Sequence, residues 1–171
     1  TLITATSFTA DFAGAIAQNG ATTAINTTAA NGPITLTGGA IGSNTQHFVI
    51  QPGSGDLTIR ARTSDIWLDV AGGTLHGSDI LNLQADATNA NVSLTVLNGG
   101  LDLNDVSHFQ TANDRLTLRT QGVGNNIDFS GSGGALSGGL VVLNAAGSIL
   151  SSGGEAVDVS ASQLGTALTL I

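Results

Sequence analysis

The sequence predicts an all-β fold: a right-handed parallel β-helix of about six coils with three short strands per coil. Three observations carry that expectation. A short apolar-polar-apolar beat returns at Ile34-Thr35-Leu36, Leu57-Thr58-Ile59, Leu81-Asn82-Leu83, Leu116-Thr117-Leu118, Val141-Val142-Leu143 and Leu168-Thr169-Leu170, at intervals of 23, 24, 35, 25 and 27 residues. Glycine supplies 24 of the 171 residues and only 9% are charged, while small residues alternate with Leu or β-branched residues over short runs, a composition that suits short strands joined by tight turns. Gly pairs at Gly72-Gly73, Gly99-Gly100 and Gly133-Gly134 punctuate the runs. Handedness follows from the general preference of parallel crossovers, not from any residue here.

Taken in order, the first coil is long and runs through Phe8, Phe12, Ile16 and Ile25. Its Asp11-Phe12-Ala13-Gly14-Ala15-Ile16 stretch fits either a strand or one helical turn. Each beat from Ile34 onward then opens a coil. Strand alternation turns Leu57, Ile59, Leu81, Leu83, Leu116, Leu118, Val141 and Leu143 inward as one aliphatic column, and Thr58, Asn82 and Thr117 outward. Arg60, Gln84, Arg119 and Asn144 follow as a polar column.

A second strand is expected at 66–70, 92–96 and 127–129, with 48–50 and 157–159 in the less regular coils. Asp65, Asn91 and Asn126 precede it in three coils, where a residue that accepts local backbone bonds belongs. A third, weaker strand is marked by Leu75, Leu101, Leu136 and Leu164. The long interval between Leu81 and Leu116 reads as an insertion over 101–114, and insertions in solenoids emerge as loops on one face, often the binding face.

The ends share a triplet, Thr1-Leu2-Ile3 and Thr169-Leu170-Ile171. Overlaid, they give a 168-residue period. Residues 1–171 are therefore expected to be a single β-helix segment and one piece of a longer tandem array, with self-association through open coil ends or tandem copies.

Net charge is −8, Lys is absent, and only four Arg are available to meet phosphates; nucleic acid is not an expected partner. No apolar run approaches the roughly 18 residues of a membrane helix, so no membrane insertion is expected. Without Cys there is no disulfide framework and no thiolate metal site. No cofactor is expected.

The words Leu143-Asn144-Ala145-Ala146-Gly147-Ser148-Ile149 and Ala156-Val157-Asp158-Val159-Ser160-Ala161-Ser162-Gln163-Leu164 resemble the degenerate repeats of filamentous-haemagglutinin-like bacterial exoproteins. That resemblance implies a large secreted or cell-surface protein, β-helical, exported by a two-partner or autotransporter-type route, and commonly an adhesin. The expected role is a structural stalk or adhesive segment that is non-catalytic, located outside the cell or on the bacterial surface, with surface glycans or proteins as partners. Two alternatives stand beside it: a β-helical polysaccharide-degrading enzyme, and a filament subunit that stacks end to end.

Candidate binding residues are Trp67, Asp102, Asp105, His108 and Asp114. Trp67 falls at an outward position, in a row with Val49, Ser93, Asp128 and Asp158, and an outward indole can stack on a sugar or on another protein. The four others crowd the 101–114 stretch, where oxygen ligands could hold Ca²⁺ or form a docking surface. No metal centre is expected, because His47, His76 and His108 fall at different coil positions. For the enzyme alternative the pair is Asp128 with Asp158, one coil apart on the same row and so within the spacing of glycosidase carboxylates.

Overall fold

The computed structural model describes residues 2–20, 22–27, 31–103, 109–110, 114–130, 135–151, 158–161 and 168–171. The fold is a parallel β-solenoid with three sides. Every paired strand named below runs parallel to its neighbours, as expected when each strand pairs with its equivalent one turn away. The longest side is an eight-stranded sheet, Ile3–Thr4, Ile25–Asn26, Phe48–Gln51, Ile66–Val70, Asn91–Val96, Arg115–Thr120, Leu140–Asn144 and Leu168–Leu170. A second side stacks Phe8–Asp11, Ile34–Gly38, Leu57–Ala61, Ile80–Ala85 and Phe109–Gln110, and a third stacks Leu75–His76, Leu101–Asp102, Ile127–Asp128 and Ile149–Leu150. Ala135–Gly138 pairs with Asp158–Ala161 as a two-stranded continuation late in the chain.

Partners on all these sides are 20 to 27 residues apart. The period is therefore steady throughout, and the 35-residue interval is not an insertion. Leu116 pairs with Val92 on the long side, whereas the strand holding Leu83 continues to Phe109 on another side. The beat at 34, 57 and 81 and the beat at 116, 141 and 168 thus belong to different sheets. Each side buries one face, so each imposes the same alternation, and the shared wording conceals the change of side. The 101–114 stretch contains two ordinary rung strands, Leu101–Asp102 and Phe109–Gln110, rather than an inserted loop. Its residues 104–108 and 111–113 lie outside the described set.

The same correction splits the expected columns. Arg60 aligns with Thr37 and Gln84, while Arg119 aligns with Thr95 and Asn144 on the long side. Thr58 and Asn82 are partners, but Thr117 lies beside Ser93 and Val142. Ile127 and Leu136 move likewise: Ile127 follows Leu101 on the third side, and Leu136 pairs with Val159.

Leu81 departs from the expected inward column for a local reason. Leu57 pairs with Ile80 and Thr58 with Asn82, which leaves Leu81 as the extra residue of a bulge. Ile80 takes the inward place, and Leu81 is 47% exposed. Near the start, Asp11 ends a strand, Ala13 and Gly14 bend the chain, and Ile16 bridges Ile41 in parallel, so the ambiguous 11–16 stretch holds no helical turn and is a strand end followed by a corner.

Among the described residues the interior is one apolar cluster, mostly aliphatic, with Phe48, Phe109 and Phe129 among its members. On the long side its columns are Ile66, Val92, Leu116 and Val141, then Leu68, Leu94, Leu118 and Leu143, all buried. Leu75, Leu101 and Ile127 close it from the third side. Thr120 continues the Val70 and Val96 column, fully buried, because its hydroxyl donates to the Asn125 carbonyl and accepts from the Ala146 N–H; a buried hydroxyl needs such partners. Turns stack as tightly as strands: a Cβ at Gly99 would lie 2.3 Å from the Gly73 carbonyl of the preceding turn.

Candidate functional site

Trp67 is the second residue of the Ile66–Val70 strand, whose apolar residues Ile66, Leu68 and Val70 are buried. Alternation sends its indole outward, as expected. Its row is Trp67, Ser93, Thr117, Val142 and Thr169. Only Ser93 of the predicted row is therefore retained. Val49 aligns with Asp69, Asp128 lies on the third side, and Asp158 aligns with Ala135.

The indole is half-buried because neighbours hold it. The His47 ring lies against it at a centroid separation of 5.6 Å and a tilt of 38°. His47 is itself fixed by Asp69, with Nδ1 2.6 Å from Oδ1. On the other flank, Trp67 Nε1 donates to Asp65 Oδ2 at 3.4 Å, a long bond. Asp65 in turn accepts from the Asn91 N–H at 2.8 Å and the Asn91 amide at 3.2 Å, joining one turn to the next. Of the three residues expected to precede the second strand, Asp65 and Asn91 are thus bonded from one turn to the next, but Asn126 is not part of that step. Asn126 sits at the entrance to the third side, where its Oδ1 accepts from the Ser148 N–H.

Beside Trp67 the chain leaves a cavity of about 220 Å³, walled by Gly42, Ser43, Asn44, Ser64, Asp65 and Trp67. The 43–46 turn that forms one wall is braced by reciprocal backbone bonds between Ser43 and Gln46 and by the Ser43 hydroxyl. Asn44 and Ser64 are exposed at its rim.

Asp102 lies elsewhere, in the third-side row His76, Asp102, Asp128 and Leu150. His76 Nδ1 is 3.1 Å from Asp102 Oδ2, and Asp128 Oδ1 accepts from the Ser130 N–H. A separate cavity of about 270 Å³ borders this row, lined by Thr74, Asp102, Asn125, Asn126 and Asp128 among others. The stacked carboxylates are therefore Asp102 and Asp128, not Asp128 and Asp158.

Asp114 is a corner residue rather than a surface ligand. It is 4% exposed, and its Oδ1 accepts from the Ala90 N–H at 3.0 Å. Burial pushes its carboxyl above the ordinary carboxylate value; the Ala90 N–H pulls it down, and the like charge of Asp65 adds to the rise. Ala90 and Asn91 are consecutive, so Asp114 and Asp65 grip the same corner from the turns on either side. Asp105 and His108 lie outside the described residues, and among the described residues no group of three or more His, Cys, Asp or Glu is set to hold a metal ion.

No family model, no curated protein and no solved structure matches the chain.

Sequence reasoning missed the polar pairs that join turns: His47 with Asp69, Arg60 with Asp86, and Arg62 with Asp11. A signal existed for two of them. His47 and Asp69, and Arg60 and Asp86, are complementary residues 22 and 26 positions apart, one period of the solenoid.

Proposed function

We propose that this chain is a structural spacer or stalk segment of a large bacterial surface or secreted protein, working by stiffness rather than by catalysis. The observation that carries the reading is the eight-stranded parallel sheet, with one apolar cluster beneath it that runs through the described residues from Ala10 to Leu143. Each rung is bonded to the next along its backbone, so bending the rod means stretching many hydrogen bonds together. Eight rungs at about 4.8 Å span roughly 34 Å. The filamentous-haemagglutinin-like wording of 143–164 supports an exported setting, and the acidic, Lys-free surface favours solubility.

The lack of Cys makes the test direct. Spin labels on Thr4→Cys and Thr169→Cys, at opposite edges of the long sheet, should give a narrow distance distribution centred within label length of about 34 Å. A broad distribution would remove the stiff-spacer reading.

One observation favours a second reading, a polysaccharide-cleaving enzyme. Asp102 and Asp128 occupy adjacent rungs beside a cavity, and the rung spacing of about 4.8 Å is near the roughly 5–5.5 Å of retaining glycosidases. Release of reducing ends from neutral or acidic polysaccharides, abolished by Asp128→Asn, would establish it in place of the spacer.

A further inference from the structure

We infer that the cavity beside Trp67 is a binding subsite for one neutral hexopyranosyl unit, so that the spacer carries a glycan contact on its flank. The inference rests on the spacer reading only in assigning a purpose to that contact; the subsite itself follows from four features of the corner.

The first feature is an aromatic wall. Trp67 is the protein's one tryptophan, and an indole offers the apolar face on which the C–H side of a sugar ring packs. The second is preorganisation. Asp69 holds His47, His47 lies against the indole, and Asp65 receives the indole N–H, so the ring is oriented before any ligand arrives. A platform already in place loses little side-chain freedom on binding. The neighbouring rung contributes only the small Ser93, which is buried.

The third feature is the polar rim. Asn44 and Ser64 bring an amide and a hydroxyl to the mouth, and Ser43 and Asp65 bring further oxygens to the walls. Donors and acceptors converging beside an aromatic surface match the alternating edge and face of a pyranose. The fourth is size and charge. A volume of about 220 Å³ is below the roughly 300–1,000 Å³ of sites for drug-sized ligands, which suits one sugar unit rather than an oligosaccharide. Asp65 and Asp69 flank the indole in a protein of net charge −8, so uronic, sialic or sulfated sugars are repelled.

The lone tryptophan also supplies the readout. Its emission is followed while the full chain is titrated with methyl glycosides of glucose, galactose and mannose, and with galacturonate and sialic acid as charged controls. At least one neutral glycoside should give a saturable change with Kd on the order of 1–10 mM, and the charged sugars should give none. Asn44→Ala, an exposed turn substitution, should weaken binding at least about fivefold while leaving the melting curve unchanged. Trp67→Phe, followed by ligand-observed NMR, should weaken it further.

Absence of a saturable change with every neutral glycoside would overturn the inference. So would equal binding of the charged sugars, or unchanged binding in both Asn44→Ala and Trp67→Phe. The distance measurement between residues 4 and 169 is independent of these titrations. A rigid rod that ignores sugars would remove only the subsite, and a sugar-binding but floppy chain would remove only the spacer.

Discussion

Two flanks of this solenoid use the same device and reach different ends. At the Trp67 corner a His and an Asp one period apart, His47 and Asp69, meet at 2.6 Å; on the third side His76 and Asp102 meet at 3.1 Å. The first pair is the more enclosed, its side chains 27% and 18% exposed against 50% and 28%. It also supports an aromatic ring, whereas the second borders a polar cavity. The turn-to-turn His–Asp pair is common to both flanks, and what it braces, a ring at one and a polar cavity at the other, sets them apart.

Both flanks stand on the same core, and removing that support should break both. Leu68→Ala lies in the strand of Trp67, and Leu101→Ala lies in the strand of Asp102. Each truncates a fully buried side chain and should cost about 2–5 kcal/mol in urea unfolding. The pair is distinguished by the tryptophan: native-state emission should shift in Leu68→Ala and stay in place in Leu101→Ala.

Taking away the struts themselves sharpens the contrast at smaller scale. Asp69→Ala leaves His47 half-buried without its partner and should cost about 1–2 kcal/mol. Asp102→Ala removes a more exposed pair and should cost no more than about 0.5–1 kcal/mol, an effect weakened by salt. Equal losses in thermal melts would show that the two pairs are equivalent after all.

Asp114 provides a third comparison, a carboxylate held near another carboxylate instead of beside a His. Its pKa in the folded chain is raised, first by burial and then by Asp65. A raised carboxyl pKa means that folding favours the protonated form, so its ionisation lowers stability at neutral pH. This contribution improves as pH falls through the folded pKa and levels off below the unfolded value, about 3.9. Asp114→Asn keeps an oxygen for the Ala90 N–H while removing the buried charge and its repulsion with Asp65, and should raise stability at pH 7. The gain over the parent should shrink on acidification, and a constant or growing gain in urea melts across that range would contradict this account.

Much of the fold was legible because burying one face of a strand writes itself as alternation. Three strands per turn and the outward Trp67 could be read that way, and Asp65 and Asn91 from their place just before a strand. The side to which each strand belongs could not. All three sides bury one face and so carry the same words, and Leu116 resembles Leu57 although its partner is Val92. The bulge at Leu81 hid the matter further, since an exposed Leu occupies the place where the pattern demands a buried one. Of the candidate site, Trp67 was visible as a lone aromatic on an outward position. Its brace was not, because His47 and Asp69 become neighbours only once the period is known. Asp114 was misjudged for the opposite reason: a carboxylate in an apparently polar stretch looks exposed until the corner closes over it.

A steady register brings particular residues of adjacent turns side by side, and a pair of cysteines can detect it. In this Cys-free chain, Ser93→Cys with Thr117→Cys places two thiols on adjacent rungs of the long side, within the roughly 4.4–6.8 Å Cα separation that a disulfide accepts. Asn82→Cys with Thr117→Cys places them on different sides, although a column built from the repeated words alone would make them neighbours. Mild oxidation followed by mass spectrometry should show a disulfide in the first variant and two free thiols in the second. The reverse result would contradict the register and, with it, the unbroken ladder on which the spacer depends.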